Sequence, residues 1–218
     1  MNDTAVWAWA ALLLLGAYHG INPGMGWLFA VALGMQEKSP RAVWRSLAPI
    51  AAGHALAIGA VVFVAALVGM ALPLTSLKFV VAGILFVLGI YRLFWHRHPR
   101  GGGMQVGFRD LTIWSFLMAS AHGAGLMVLP ILLKISPAVH AAGSHLGGHP
   151  AHTAVIGGTG TNLLAVTVHT AGYLVVTGAI AWLVYKKLGL ALLRRAWVNL
   201  DLIWCFALVA TGGFVLVM

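Results

Sequence analysis

The chain has 218 residues, of which 61% are hydrophobic and 8% charged, with a formal net charge of +9. A soluble domain of that composition would carry an apolar surface, so a soluble globular protein is excluded and a polytopic membrane protein is expected. The positive charge does not indicate nucleic-acid binding, because the basic residues sit in short loops between apolar runs.

Runs that reach the ~20 apolar residues needed to cross a bilayer predict an all-α protein with six transmembrane helices. Their expected ranges are about 5–33, 44–70, 74–94, 111–134, 156–184 and 197–217. The first run is too long for a signal peptide and lacks a small-residue cleavage pattern, so it is read as a span. Within it, Gly16, Gly20 and Gly24 recur every four residues and form a smooth face that lets another helix approach closely. His19 lies on the same helix. Pro23 has no N–H and its ring clashes with the carbonyl four residues back, that of His19. A break is expected here, with a freed carbonyl beside an imidazole, as occurs at membrane depth where a helix lines a cavity.

The second span carries Gly53-His54-Ala55-Leu56-Ala57-Ile58. The third carries no histidine, and Gly101-Gly102-Gly103 beyond it suits a flexible join. The fourth holds Ser120-Ala121-His122-Gly123-Ala124-Gly125, whose glycines loosen the helix after the histidine. The fifth holds Val168-His169-Thr170-Ala171-Gly172-Tyr173, and Thr159, Thr161, Asn162 and Thr167 make it unusually polar. Asn162 precedes His169 by two turns on one face. The sixth contains Asp201 near its start, placed for ion pairing with Arg194 or Arg195 or for a coupling role. Cys205 is the single cysteine, which excludes an intrachain disulfide and two-thiol electron transfer.

Eleven of the thirteen basic residues fall in the loops after spans one, three and five, for example Lys38, Arg97 and Lys187. The positive-inside rule then puts both termini outside, in a bacterial inner membrane. Trp7 and Trp9 would anchor the outer interface, and Trp44, Trp95, Trp114, Trp182 and Trp197 the inner one.

The histidine motifs recur in order. His19 pairs with His122 and His54 with His169. Residues 1–100 and 101–218 thus read as two three-helix repeats. Three is odd, so the copies insert in opposite directions, a plan that places sites near the midplane where repeats meet.

His19, His54, His122 and His169 are each too deep in their spans to snorkel, and polar groups there are costly and mark function. Imidazole suits nickel, cobalt, zinc and copper, and also proton relay. Met25 and Met127 near the first histidines would favour soft metals, and Asn22, Asn162 and Asp201 are further candidate ligands. The outward loop between spans four and five holds His140, His145, His149 and His152 among glycine, alanine and proline, a composition that reads as a collector of transition metals. His96 and His98 sit among arginines and imply no site.

The motifs His19-Gly20-x-x-Pro23-Gly24 and Gly53-His54-Ala55-Leu56-x-Ile58, on two three-span repeats, resemble the lysine-exporter superfamily. Within it, nickel/cobalt transporters and urease-accessory-type membrane proteins are the most similar. In that group the first helix carries a histidine, matched by His19, followed by an Asp-His pair linked to metal selection. Here Asn22-Pro23-Gly24 occupies that region. The resemblance implies transport.

Together these readings give a transporter, and no enzyme, for a transition-metal cation as substrate. The cation passes the midplane histidines, with proton antiport because metal binding displaces protons. The bilayer is the partner, no tightly held cofactor is implied, and the Gly-x-x-x-Gly faces would serve a homo-oligomer as well as the fold. The alternatives are a proton-coupled exporter of a small organic or anionic solute, and a membrane haem protein using the histidines as axial ligands.

Overall fold

The computed structural model describes residues 3–71, 74–94, 107–135, 159–188 and 200–217. The described residues are entirely helical. In chain order they form α1 (Asp3–Ile21), a 3-10 turn (Pro23–Met25), α2 (Trp27–Gln36), α3 (Pro40–Ala71) and α4 (Leu74–Phe94). After residues outside the described set come α5 (Phe108–Ala121) and α6 (Ala124–Ile135). A second such gap precedes α7 (Thr159–Leu183), which continues into a wider turn (Val184–Leu188), and α8 (Leu200–Val217) follows.

Two stretches, Pro40–Val68 and Gly160–Lys187, are long and apolar enough to cross a membrane. The pair α5 and α6, bent by 64°, makes a third if it counts as one span. The remaining apolar helices are shorter, among them Val6–Ile21, Trp27–Gln36, Phe79–Tyr91 and Cys205–Val217. The first expected span is therefore two helices. Asn22 ends α1 and caps the turn, its Oδ1 accepting from the Gly24 N–H at 2.9 Å.

Large apolar side chains cover the exterior, and a set of polar ones is buried. Phe63, Phe79, Val175 and Phe206 point outward, while His19, Ser46, His54, Ser115, His122, His169, Thr170 and Thr177 are buried. An apolar exterior over an apolar core that also encloses these polar side chains suits a hydrocarbon solvent, where polar side chains gain by facing one another.

Three helix pairs dominate the packing: α1 with α7, α3 with α5, and α4 with α8. Glycine allows the first two. A Cβ on Gly16 would lie 2.0 Å from the His169 carbonyl oxygen, and one on Gly53 would lie 2.2 Å from that of Thr112. With no side chain between them, the backbones touch, which brings His19 beside His169. Ser115 Oγ ties the second pair by donating to the Ile50 carbonyl at 2.7 Å.

Gly26 joins the turn to α2 at φ 154°, a conformation that L side chains rarely adopt. A Cβ there would meet Ile50 Cγ2 at 2.6 Å and Tyr173 Oη at 2.8 Å. Gly26→Ala is expected to cost about 1–3 kcal/mol through strain and overpacking. The check is a lower midpoint in thermal unfolding of the detergent-extracted protein.

Candidate functional site

His19 sits in the last turn of α1, His54 near the middle of α3, and His169 near the middle of α7. All three are completely buried, and their rings meet. The centres of His19 and His169 are 5.0 Å apart, those of His54 and His169 5.5 Å, and those of His19 and His54 5.7 Å. The His54 and His169 rings are parallel within 4°. Tyr173, one turn beyond His169, stacks on the other neighbour, its ring 3.9 Å from that of His54.

Backbone carbonyls orient two of these rings. His19 Nδ1 bonds to the Leu15 carbonyl at 2.7 Å, and His169 Nδ1 to the Leu12 carbonyl at 3.1 Å. A carbonyl only accepts, so Nδ1 carries the proton and Nε2 presents a lone pair. That is how histidine ligands are commonly held, with the ligating nitrogen opposite the anchored one. His169 Nε2 is buried with no hydrogen-bond partner, and so are both nitrogens of His54. Buried polar groups are nearly always bonded, and each one left unmade costs about 1–3 kcal/mol. Two of the three clustered imidazoles, those of His54 and His169, thus keep buried nitrogens without a hydrogen-bond partner.

His122 occupies the bend between α5 and α6. It is buried, and its Nδ1 bonds to the Met118 carbonyl at 2.8 Å, four residues back, as His19 does to Leu15. Gly123 follows at φ 69°, and a Cβ there would lie 3.0 Å from Leu208 on α8. The expected meeting of four histidines thus appears in the structure as a group of three, with His122 placed at the second helix break.

The other candidates take different places. The expected free carbonyl of His19 accepts from the Asn22 N–H at 3.3 Å, because the chain turns back at once. The Asn22 oxygen is used in capping Gly24, so it faces its own backbone. Met25 and Met127 are buried in the apolar core. The carbonyl of Met25, not its sulfur, makes the notable contact, accepting from the Tyr173 hydroxyl. Asn162 Oδ1 is buried without a partner on α7. Asp201 lies in α8, but its side chain falls outside the described residues, as do His140, His145, His149, His152, His96 and His98. Trp114, expected at the inner interface, donates to the Gly24 carbonyl at 3.2 Å and so belongs to the α1–α2 break. Sequence reading passed over Tyr173. Its position four residues after His169, on the same helix face, was the available signal.

Among the described residues, no group of three or more His, Cys, Asp or Glu side chains already stands in position to hold a metal ion. The rings of His19, His54 and His169 lie close together without forming such a group. Separately, a cavity of about 800 Å3 opens between α1, α6 and α8, lined by Leu15, Met127, Pro130, Lys134 and Phe214 among others. The Lys134 ammonium lies 4.5 Å from the Phe214 ring centre.

No family model, no curated protein and no solved structure matches this chain.

Proposed function

We propose that the protein carries a transition-metal cation of the nickel, cobalt, zinc and copper class across a membrane, using His19, His54 and His169 as the site. The spacing of the three buried rings supports this most. An ion ~2.0–2.1 Å from one nitrogen of each of three imidazoles would set the ring centres about 5 Å apart, close to the 5.0, 5.5 and 5.7 Å found. The group contains no carboxylate, so proton release on binding would offset the incoming charge.

In this reading α1 with α2, α3 and α4 form one three-span half, and α5 with α6, α7 and α8 the other, inserted in opposite directions. Three observations support that plan. The first span of each half packs on the second span of the other, as α1 with α7 and α5 with α3, and the third spans pack together. Each half is broken just after its first histidine. Trp44 and Trp182 meet at 5.5 Å with Lys186 over the Trp182 ring, as expected of an inner headgroup interface. The motif resemblance to the lysine-exporter superfamily points the same way.

The deciding experiment is metal binding by purified protein, scanned over Ni2+, Co2+, Zn2+ and Cu2+, with and without residues 138–152. Saturable binding is expected to survive removal of the loop and to be lost in His54→Ala. Binding that vanishes with the loop alone, or that ignores His54→Ala, would sink the proposal.

A second reading draws on the cavity between α1, α6 and α8. Its walls are largely apolar, Lys134 is its cation, and it reaches Leu15, whose carbonyl holds His19. A small organic anion would suit it, with the histidines carrying protons. Growth tests with added metals and amino acids separate the two, because only a metal carrier alters metal tolerance.

A further inference from the structure

We propose that Tyr173 is a latch that joins the histidine group to the break in the first span, so that a cation drawing His54 into the site releases that break. The inference rests on the metal reading above for its trigger, and on the structure alone for the latch.

The break is held by three side-chain donors. Trp27 Nε1 donates to the Ile21 carbonyl at 2.9 Å, Trp114 Nε1 to the Gly24 carbonyl at 3.2 Å, and the Tyr173 hydroxyl to the Met25 carbonyl. These carbonyls lie where the helical ladder stops, so the donors supply partners that the helix cannot. Of the three, Tyr173 also stacks on a histidine, with its ring 3.9 Å from His54 and tilted by only 10°. One rigid, completely buried side chain therefore has its face on the site and its hydroxyl on the break. Gly26 completes the fit. The absence of a side chain at that position leaves room for the Tyr173 hydroxyl, which lies 2.8 Å from where a Cβ would stand.

His54 is the ring that no hydrogen bond fixes. Backbone carbonyls pin His19 and His169 at Nδ1, whereas neither nitrogen of His54 is bonded. These side chains form no metal-holding group as they stand, so in the metal reading a ring must turn on binding, and His54 is the one that no hydrogen bond holds. Turning it takes His54 off the Tyr173 ring. Tyr173 then loses its backing, and its bond to Met25 weakens with it. The latched form is the poorer binder, and any change that unlatches the break raises apparent affinity by enlarging the competent population.

The test follows backbone hydrogen exchange of residues 20–30 by mass spectrometry, with the full chain in lipid nanodiscs, alongside calorimetric titration with Zn2+ and Ni2+. In the wild type, metal is expected to speed exchange in this segment. Tyr173→Phe keeps the stacked ring and removes the hydroxyl. It is expected to exchange fast without metal and to bind metal roughly three- to tenfold more tightly, the scale of one hydrogen bond. Weaker or unchanged affinity, or metal bound with no change in exchange, overturns the latch. A merely structural role predicts lost affinity, the opposite sign. If the wild type binds neither ion, the metal reading fails. Release by a cation is then overturned with it, and Tyr173→Phe exchange without metal decides only whether the hydroxyl holds the break, where no change refutes that too. Should Tyr173→Phe not fold, Trp114→Phe frees the Gly24 carbonyl of the same break. The same gains are then expected, and unchanged affinity refutes the proposal.

Discussion

Gly16→Val is expected to abolish recovery of folded, monodisperse protein, while Gly59→Ala leaves recovery at the wild-type level. At Gly16 an added Cβ would stand 2.0 Å from the His169 carbonyl oxygen, 2.9 Å from its carbon and 3.0 Å from the Tyr173 nitrogen. All three are backbone atoms, so no rotamer change relieves the clash. The helices must separate. Gly20 and Gly172 line the same seam, with Cβ positions 2.6 Å from the Tyr173 oxygen and 2.3 Å from the Leu13 oxygen. Any tilt that rescued Gly16 would open these contacts too. Overpacking a core typically costs about 1–3 kcal/mol, and a backbone clash across a main seam exceeds that range. Stabilities of whole domains are only about 5–15 kcal/mol. At Gly59 nothing lies within 4 Å of an added Cβ, and alanine is the better helix former. Size-exclusion chromatography of fluorescent fusions after detergent extraction reads both variants. A wild-type profile for Gly16→Val would mean that α1 and α7 do not meet as described.

If the protein carries metal as proposed, His169→Ala is expected to lower metal affinity on the order of 100-fold or more and to reduce metal flux in vesicles to background. Removing an outer partner of a metal ligand typically costs 10–100-fold, and the loss of a ligand costs at least as much. His169 is central to the group, with its ring centre 5.0 Å from that of His19 and 5.5 Å from that of His54. Its removal leaves two of the three imidazoles that the proposed metal site uses. It also leaves the Leu12 carbonyl without its imidazole donor, a loss of about 1 kcal/mol in stability. Thermal unfolding separates the two effects, because a shift of that size cannot account for a hundredfold loss of binding. Full flux in a folded His169→Ala protein would remove the histidine group from the transport path.

Both helix breaks are written locally. Pro23 cannot donate to the ladder and crowds the carbonyl four residues back, so α1 ends at Ile21 whatever surrounds it. His122-Gly123 ends α5 because glycine accepts a positive φ at little cost. The Gly16-x-x-x-Gly20 face was legible as well, since its smoothness is a property of one helix. Gly24 left that face because the helix had already broken, and it meets Met118 of α5 instead.

Which helices used those faces was not legible. A small-residue stripe states that some backbone will approach, and not whose. That choice depends on packing among segments far apart in sequence, and it brought α1 to α7 and α3 to α5. From it follows the grouping of His19, His54 and His169. Each histidine looked equivalent in sequence, because burial in an apolar run is a one-dimensional property and a shared centre is not. Asn22 shows the same limit in reverse, a polar candidate ligand that the nearby backbone claimed as a cap. Helical segments rich in apolar residues, the breaks beside His19 and His122, and histidines set within apolar runs could all be read from the chain, because each is a property of one segment in its solvent. The meeting of three of those histidines, and the stacking of Tyr173 on one of them, came only with the folded arrangement, because both require contacts between α1, α3 and α7 that no local preference encodes.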